Sequence, residues 1–70
     1  FEAARHFAEA AVRCAPRSGG ASEALGVALE AEGHKDEARK AFERALELDP
    51  HLEVARERLK KLKGIMGFLR

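Results

Sequence analysis

The sequence predicts an all-α protein built of antiparallel helix pairs. Three observations lead there. Ala, Leu, Glu, Lys and Arg dominate a chain of 70 residues with two prolines, a composition that favours helix over strand. Glycine and proline gather at the seams between apolar stripes rather than within them. Sliding residues 1–16 onto 35–50 matches Ala4 with Ala38, Arg5 with Arg39, Glu9 with Glu43, Ala11 with Ala45 and Pro16 with Pro50, an internal repeat at an offset of 34 residues.

The first helix is expected over residues 2–15, where Phe1, Ala4, Phe7, Ala8, Ala11 and Ala15 share one stripe. Pro16 ends it, because its ring drives the preceding residue out of the helical region and it brings no N–H. Ser18 is placed to cap the second helix, expected over 20–32. Its apolar residues Ala21, Ala24, Leu25, Val27, Ala28, Leu29 and Ala31 cover more than one face, which predicts contacts on both sides. Gly33 is the stop, as the residue that most easily accepts a left-handed conformation. Asp36 and Glu37 then put negative charge where a helix N-terminus favours it, and Ala38, Ala41, Phe42, Ala45, Leu46 and Leu48 form the stripe of a third helix over 35–49, closed by Pro50. In the last segment Leu52, Ala55, Leu59, Leu62, Met66 and Leu69 recur at three- and four-residue spacing. A fourth helix is expected over 52–63, with Gly64 and Gly67 each costing about 1 kcal/mol beyond it.

The punctuation resembles the tetratricopeptide repeat: Leu25-Gly26, then Leu29, Gly33, Ala38, Phe42, Ala45 and Pro50 at the family's places and period. The match is densest over residues 19–52. It departs from the usual pattern at Ser22, where an aromatic residue is common, and at Leu29, where tyrosine is. The resemblance implies a right-handed α-solenoid of about one and a half repeats plus a C-terminal capping helix, in a single domain. Residues 1–16 would be the second helix of a partial repeat, 19–52 the full repeat, and 53–70 the capping helix and tail. Gly26 and Ala38 are then expected where the two helices of the repeat approach most closely, and Ala45 where the second helix meets the next unit.

Function is bounded mainly by exclusion. His6, His34, His51, Cys14 and scattered carboxylates form no familiar catalytic set, and His6 and Cys14 lie about 12 Å apart along one helix, too far to share a metal. No catalytic residue, cofactor or metal is expected, and the protein is read as a non-enzyme. Cys14 is read as a small core or half-buried residue. A single cysteine fits a reducing, cytoplasmic setting, and no stretch approaches the roughly 18 apolar residues of a membrane span. The start at Phe1 suggests a processed product or a piece of a longer protein. Residues 1–50 carry 7 basic and 10 acidic side chains, net −3, and residues 51–70 carry 6 and 2, net +4. That basic segment carries Arg56, Lys60, Lys61 and Lys63 on its outer side, the solvated face of a cap. Val54, Ile65 and Phe68 form a second apolar shoulder, which leaves a membrane surface or a partner as the other reading. With no Trp or Tyr and near-neutral charge, nucleic acid is not an expected partner.

What the resemblance implies is protein binding: a scaffold holding a peptide or partner helix in the concave groove lined by the first helix of each repeat. Carried over, the groove places fall on Glu23, Val27, Glu30 and Ala31 of one helix and on Glu57, Arg58 and Lys61 of the next. The Lys and Asn that grip a C-terminal carboxylate in the better-known grooves of this family are here Glu23 and Val27. The expected ligand therefore pairs an apolar anchor with a basic residue. Self-association into a homodimer through exposed apolar ends, with Phe1, Phe7 and Val12, is the alternative.

Overall fold

A computed structural model of the chain describes the backbone of residues 2–68 and the surroundings of side chains 3–64. Four helices follow one another: α1 (Glu2–Cys14), α2 (Gly19–Ala31), α3 (Lys35–Leu48) and α4 (Glu53–Phe68), with no strand among the described residues. The first three begin and end within one residue of the limits expected from the sequence. α4 runs on through Gly64, a position where helix costs only about 1 kcal/mol relative to alanine.

The ends of α2 and the turn into α4 have chemical causes. The Ser18 hydroxyl oxygen accepts from the Ala21 N–H at 3.2 Å and starts α2. At the other end Gly33 takes φ 88°, letting its N–H reach Glu30 O at 3.0 Å while the His34 N–H reaches Leu29 O at 2.9 Å. This reciprocal pair satisfies carbonyls that the last turn would otherwise leave bare. α3 and α4 are joined by a turn in which the Asp49 carboxylate accepts from the His51 N–H at 3.0 Å, and Arg56 donates to Pro50 O at 3.1 Å.

The core lies between α2, α3 and α4. Leu29, Ala38, Phe42, Ala45, Ala55, Leu59 and Leu62 form it, with Leu25, Val27, Ala41, Leu46 and Leu52 packed around them. α2 packs most extensively on α3, less on α1, and meets α4 along one narrow seam. Short turns and cross-helix contacts make consecutive helices antiparallel: Arg5 near the start of α1 pairs at 3.4 Å with Glu32 just past the end of α2, and Lys63 late in α4 pairs at 3.7 Å with Glu43 in α3. α2 and α4 consequently run side by side in the same direction.

The α3 atoms nearest Gly26 belong to Phe42. A Cβ on Gly26 would stand 2.7 Å from Phe42 Cε1, so the ring packs against bare backbone. Ala38 is fully buried in the same core. One expectation changes. Cys14 is exposed, because α2 crosses α1 on the side of Arg5, Ala8 and Val12 and leaves the Cys14 side open. α2 makes contacts on both sides as expected, with α3 and with α1, and they are unequal: Ser22, Gly26 and Leu29 are buried, whereas of the residues beside α1 Ala28 is buried and Ala24 and Ala31 remain exposed.

Candidate functional site

The seven residues expected to line a concave groove are divided by the structure into two surfaces. The first is the seam between α2 and α4. α4 begins after Leu52, a residue with no side-chain acceptor for the free N–H groups of a first helical turn. The acceptor comes instead from 32 residues earlier: Glu23 Oε2 takes the Ala55 N–H at 3.2 Å. One turn further along the seam, Arg58 donates to Glu30 Oε1 at 2.6 Å, both groups partly exposed. Glu23 and Glu30 thus join the helices to each other. Glu57 and Lys61 are exposed on α4, beside a shallow depression formed by Glu53, Arg56, Glu57 and Lys60.

The cap makes a measurable prediction. Glu23→Ala removes the only side-chain acceptor described for that first turn and is expected to lower stability by about 1 kcal/mol, with Glu23→Gln, which keeps a carbonyl oxygen, costing less than half as much. Urea midpoints for the two variants measure this, and equal losses would show that the Ala55 contact does not stabilise α4.

The second surface contains Val27 and Ala31. With Ala24 and Ala28 of α2 and Ala4, Phe7, Ala8 and Ala11 of α1 they line an open apolar groove of ≈ 720 Å³. Ala8 forms its floor at 5% exposure, while Phe7 stands at the rim 78% exposed, which is unusual for a large aromatic side chain. The charged members of α1 lie outside it: Arg5 is turned to Glu32, which also lies 3.6 Å from His34 Nε2. Val12, expected to extend this apolar end, is half-buried, and Phe1 lies outside the described residues. So do the side chains of Ile65 and Phe68, named with Val54 as a second shoulder; Val54 itself is exposed.

The groove was legible as a stripe on α1 but not as a site, because its second wall depends on how α2 crosses. The 34-residue offset contained the missing signal. It carries Ala38, Ala41, Phe42 and Ala45 of α3 onto Ala4, Phe7, Ala8 and Ala11 of α1, the same face of an equivalent helix. On α3 that face is covered by α2, whereas on α1 only Ala8 is covered and Ala4, Phe7 and Ala11 stay exposed.

Among the described residues no group of three or more His, Cys, Asp or Glu side chains could hold a metal ion, and no helix is long and apolar enough to cross a membrane. The sequence matches the family model for the tetratricopeptide repeat over residues 21–52, the stretch that spans α2, α3 and the turn into α4. No curated protein and no solved structure matches the chain. Repeats of this family are non-catalytic units that mediate protein–protein interaction. The matched segment coincides with the helix pair packed through Gly26 and Phe42, and this chain carries a tetratricopeptide repeat built from α2 and α3.

Proposed function

We propose that this chain is a protein-interaction module that seats a partner α-helix in the apolar groove between α1 and α2. The observation that carries this reading is internal to the molecule. The face of α3 bearing Ala38, Phe42 and Ala45 is covered by a helix and fully buried, whereas on the same face of α1 Ala8 alone is buried and Ala4, Ala11 and Phe7 at its edge are exposed. A helix laid against α1 would bury the Phe7 ring, a burial that contributes about 2 kcal/mol for a large apolar side chain. Val27 and Ala31, two of the concave positions, belong to its seat; Glu23, Glu30 and Arg58 stabilise the seam behind it. The partner is thus an amphipathic helix with an apolar stripe and no required charge, held in the helix-in-groove mode.

The test is fluorescence anisotropy with a labelled, leucine-striped amphipathic helical peptide. Binding is expected to respond little to salt, since no partly exposed charge anchors it. Ala11→Glu and Ala31→Glu, both at exposed positions and so compatible with folding, are expected to weaken it about tenfold or more by placing a carboxylate in the apolar contact. Unchanged binding in both variants, or loss on changing Glu57 and Lys61 instead, would move the recognition surface to α4.

A further inference from the structure

We infer that the helix seated in this groove is α1 of a second copy of the chain, the two α1 helices lying antiparallel across a twofold axis. The inference rests on the docking reading above and names its occupant.

Direction is the first argument. Where the equivalent face is covered inside this molecule, the covering helix α2 runs antiparallel to α3. A twofold axis perpendicular to α1 gives the same relation between the two copies of α1, each offering the same patch to the other.

Side-chain size is the second. Reversed about its midpoint, the stripe Ala4, Phe7, Ala8, Ala11 sets Ala4 opposite Ala11 of the second copy and Phe7 opposite Ala8. Each ring then meets a small residue, and no ring meets a ring. The molecule uses this large-on-small pairing where it packs its other phenylalanine face, with Phe42 set on Gly26. At the place where α3 has Phe42, α1 has the smaller Ala8, which leaves a groove floor over which the second copy's Phe7 lies.

Charge and the opposite end of the molecule decide between assemblies. The open side of α1, with Ala3, Ala4, Phe7, Ala11 and Cys14 all exposed, carries no charged side chain, and α1 as a whole balances Glu2 and Glu9 against Arg5 and Arg13. A second α1 therefore brings an uncharged face to an uncharged face. The far end of the molecule shows Arg56, Lys60 and Lys63 around Leu59 on α4. A head-to-tail contact would press the apolar face of α1 onto those cations, so the closed pair is favoured over a growing filament.

Area sets the strength. Two adjacent helices about 20 Å long and spaced about 10 Å apart offer a face of roughly 400 Å² per copy, or about 800 Å² in all, below the 1,200–2,000 Å² of stable complexes. The dimer is accordingly weak and reversible, forming at high micromolar concentration.

Sedimentation equilibrium of the intact chain between about 10 µM and 1 mM is expected to show the mass rising from 7.7 kDa toward twice that value, with Ala11→Glu remaining monomeric throughout. Register is read by disulfide trapping in a Cys14→Ser background. A mixture of Ala4→Cys and Ala11→Cys chains should form mixed disulfides about tenfold more than either variant alone forms like-with-like, because equal positions lie seven residues, about 10 Å, apart along the axis. A chain monomeric at every concentration, or trapping no stronger in the mixture than in the single variants, overturns the second-copy assignment. If that monomer still binds the leucine-striped peptide and loses it on Ala11→Glu, the docking reading stands without the dimer; if it binds neither, both fall.

Discussion

Phe42→Ala is expected to leave the chain mostly unfolded in buffer at 25 °C. Among the described residues Phe42 is the largest fully buried side chain, at 0% exposure, and its ring packs on Gly26 between α2 and α3. Truncating a buried phenylalanine costs about 3–5 kcal/mol, through lost burial and the cavity left behind. A single core in a domain of this size supplies only about 3–5 kcal/mol in total, so the two quantities nearly cancel. The shape of the site makes the loss hard to repair. The space left by the ring faces Gly26, which has no side chain to move inward. Far-ultraviolet circular dichroism should show helix content falling to that of isolated peptides, with no cooperative urea transition. A cooperative transition retained at a midpoint close to wild type would mean that the α2–α3 contact does not hold the domain together. The pair Phe42→Leu with Gly26→Ala serves as a control, since it returns part of the volume from the opposite wall and is expected to be more stable than Phe42→Ala.

The second large effect is a difference of sign between neighbours. Gly19 and Gly20 open α2 side by side, and replacing a helical glycine by alanine ordinarily stabilises by about 0.4–1 kcal/mol, mainly by restricting the unfolded chain. Gly20→Ala should follow that rule, because its nearest neighbour would be Ser18 Oγ at 3.7 Å. Gly19→Ala should break it. Its Cβ would fall 2.9 Å from Asp49 Cβ and 3.0 Å from both Ala45 O and Leu52 Cδ1. One of those atoms is backbone held in α3, where the Ala45 carbonyl already accepts from Asp49 N at 2.8 Å, so the start of α2 must shift instead. A loss of about 1–3 kcal/mol is expected, the usual cost of overpacking. Thermal melts of the two single variants decide it, and the same sign for both would show that α2 does not press on the α3–α4 turn.

The sequence specified much of this fold, because its decisive signals are local. Ser18, Gly33, Pro16 and Pro50 set the helix ends by chemistry that acts within a few residues, and Ala38, Phe42 and Ala45 lie on one face by helical period alone. What escaped was long-range. Nothing near Leu52 indicates that the Ala55 N–H takes its acceptor from Glu23, and nothing near Glu30 indicates Arg58; both depend on two helices meeting side by side. The same holds for Cys14, whose place on the stripe could not say on which flank α2 would cross. The candidate site divides on this line. Val27 and Ala31 were read from the sequence on one helix, but the residues that line the groove with them, Phe7, Ala8 and Ala11, come from a helix whose relation to α2 is tertiary.

The Glu23 contact also bears on the order of events as the chain folds. A helix normally begins with an acceptor supplied by its own neighbourhood, so its first turn can form as soon as the local chain is ready. α4 takes that acceptor from α2 across the whole of α3, and its first turn is fully bonded only once α2 has formed and α3 has brought the two together. The bond closes a loop of 32 residues, so making it costs chain entropy that a local cap does not. Exchange of the Ala55 amide proton with solvent thus follows the opening of the α2–α4 seam rather than local fraying of α4.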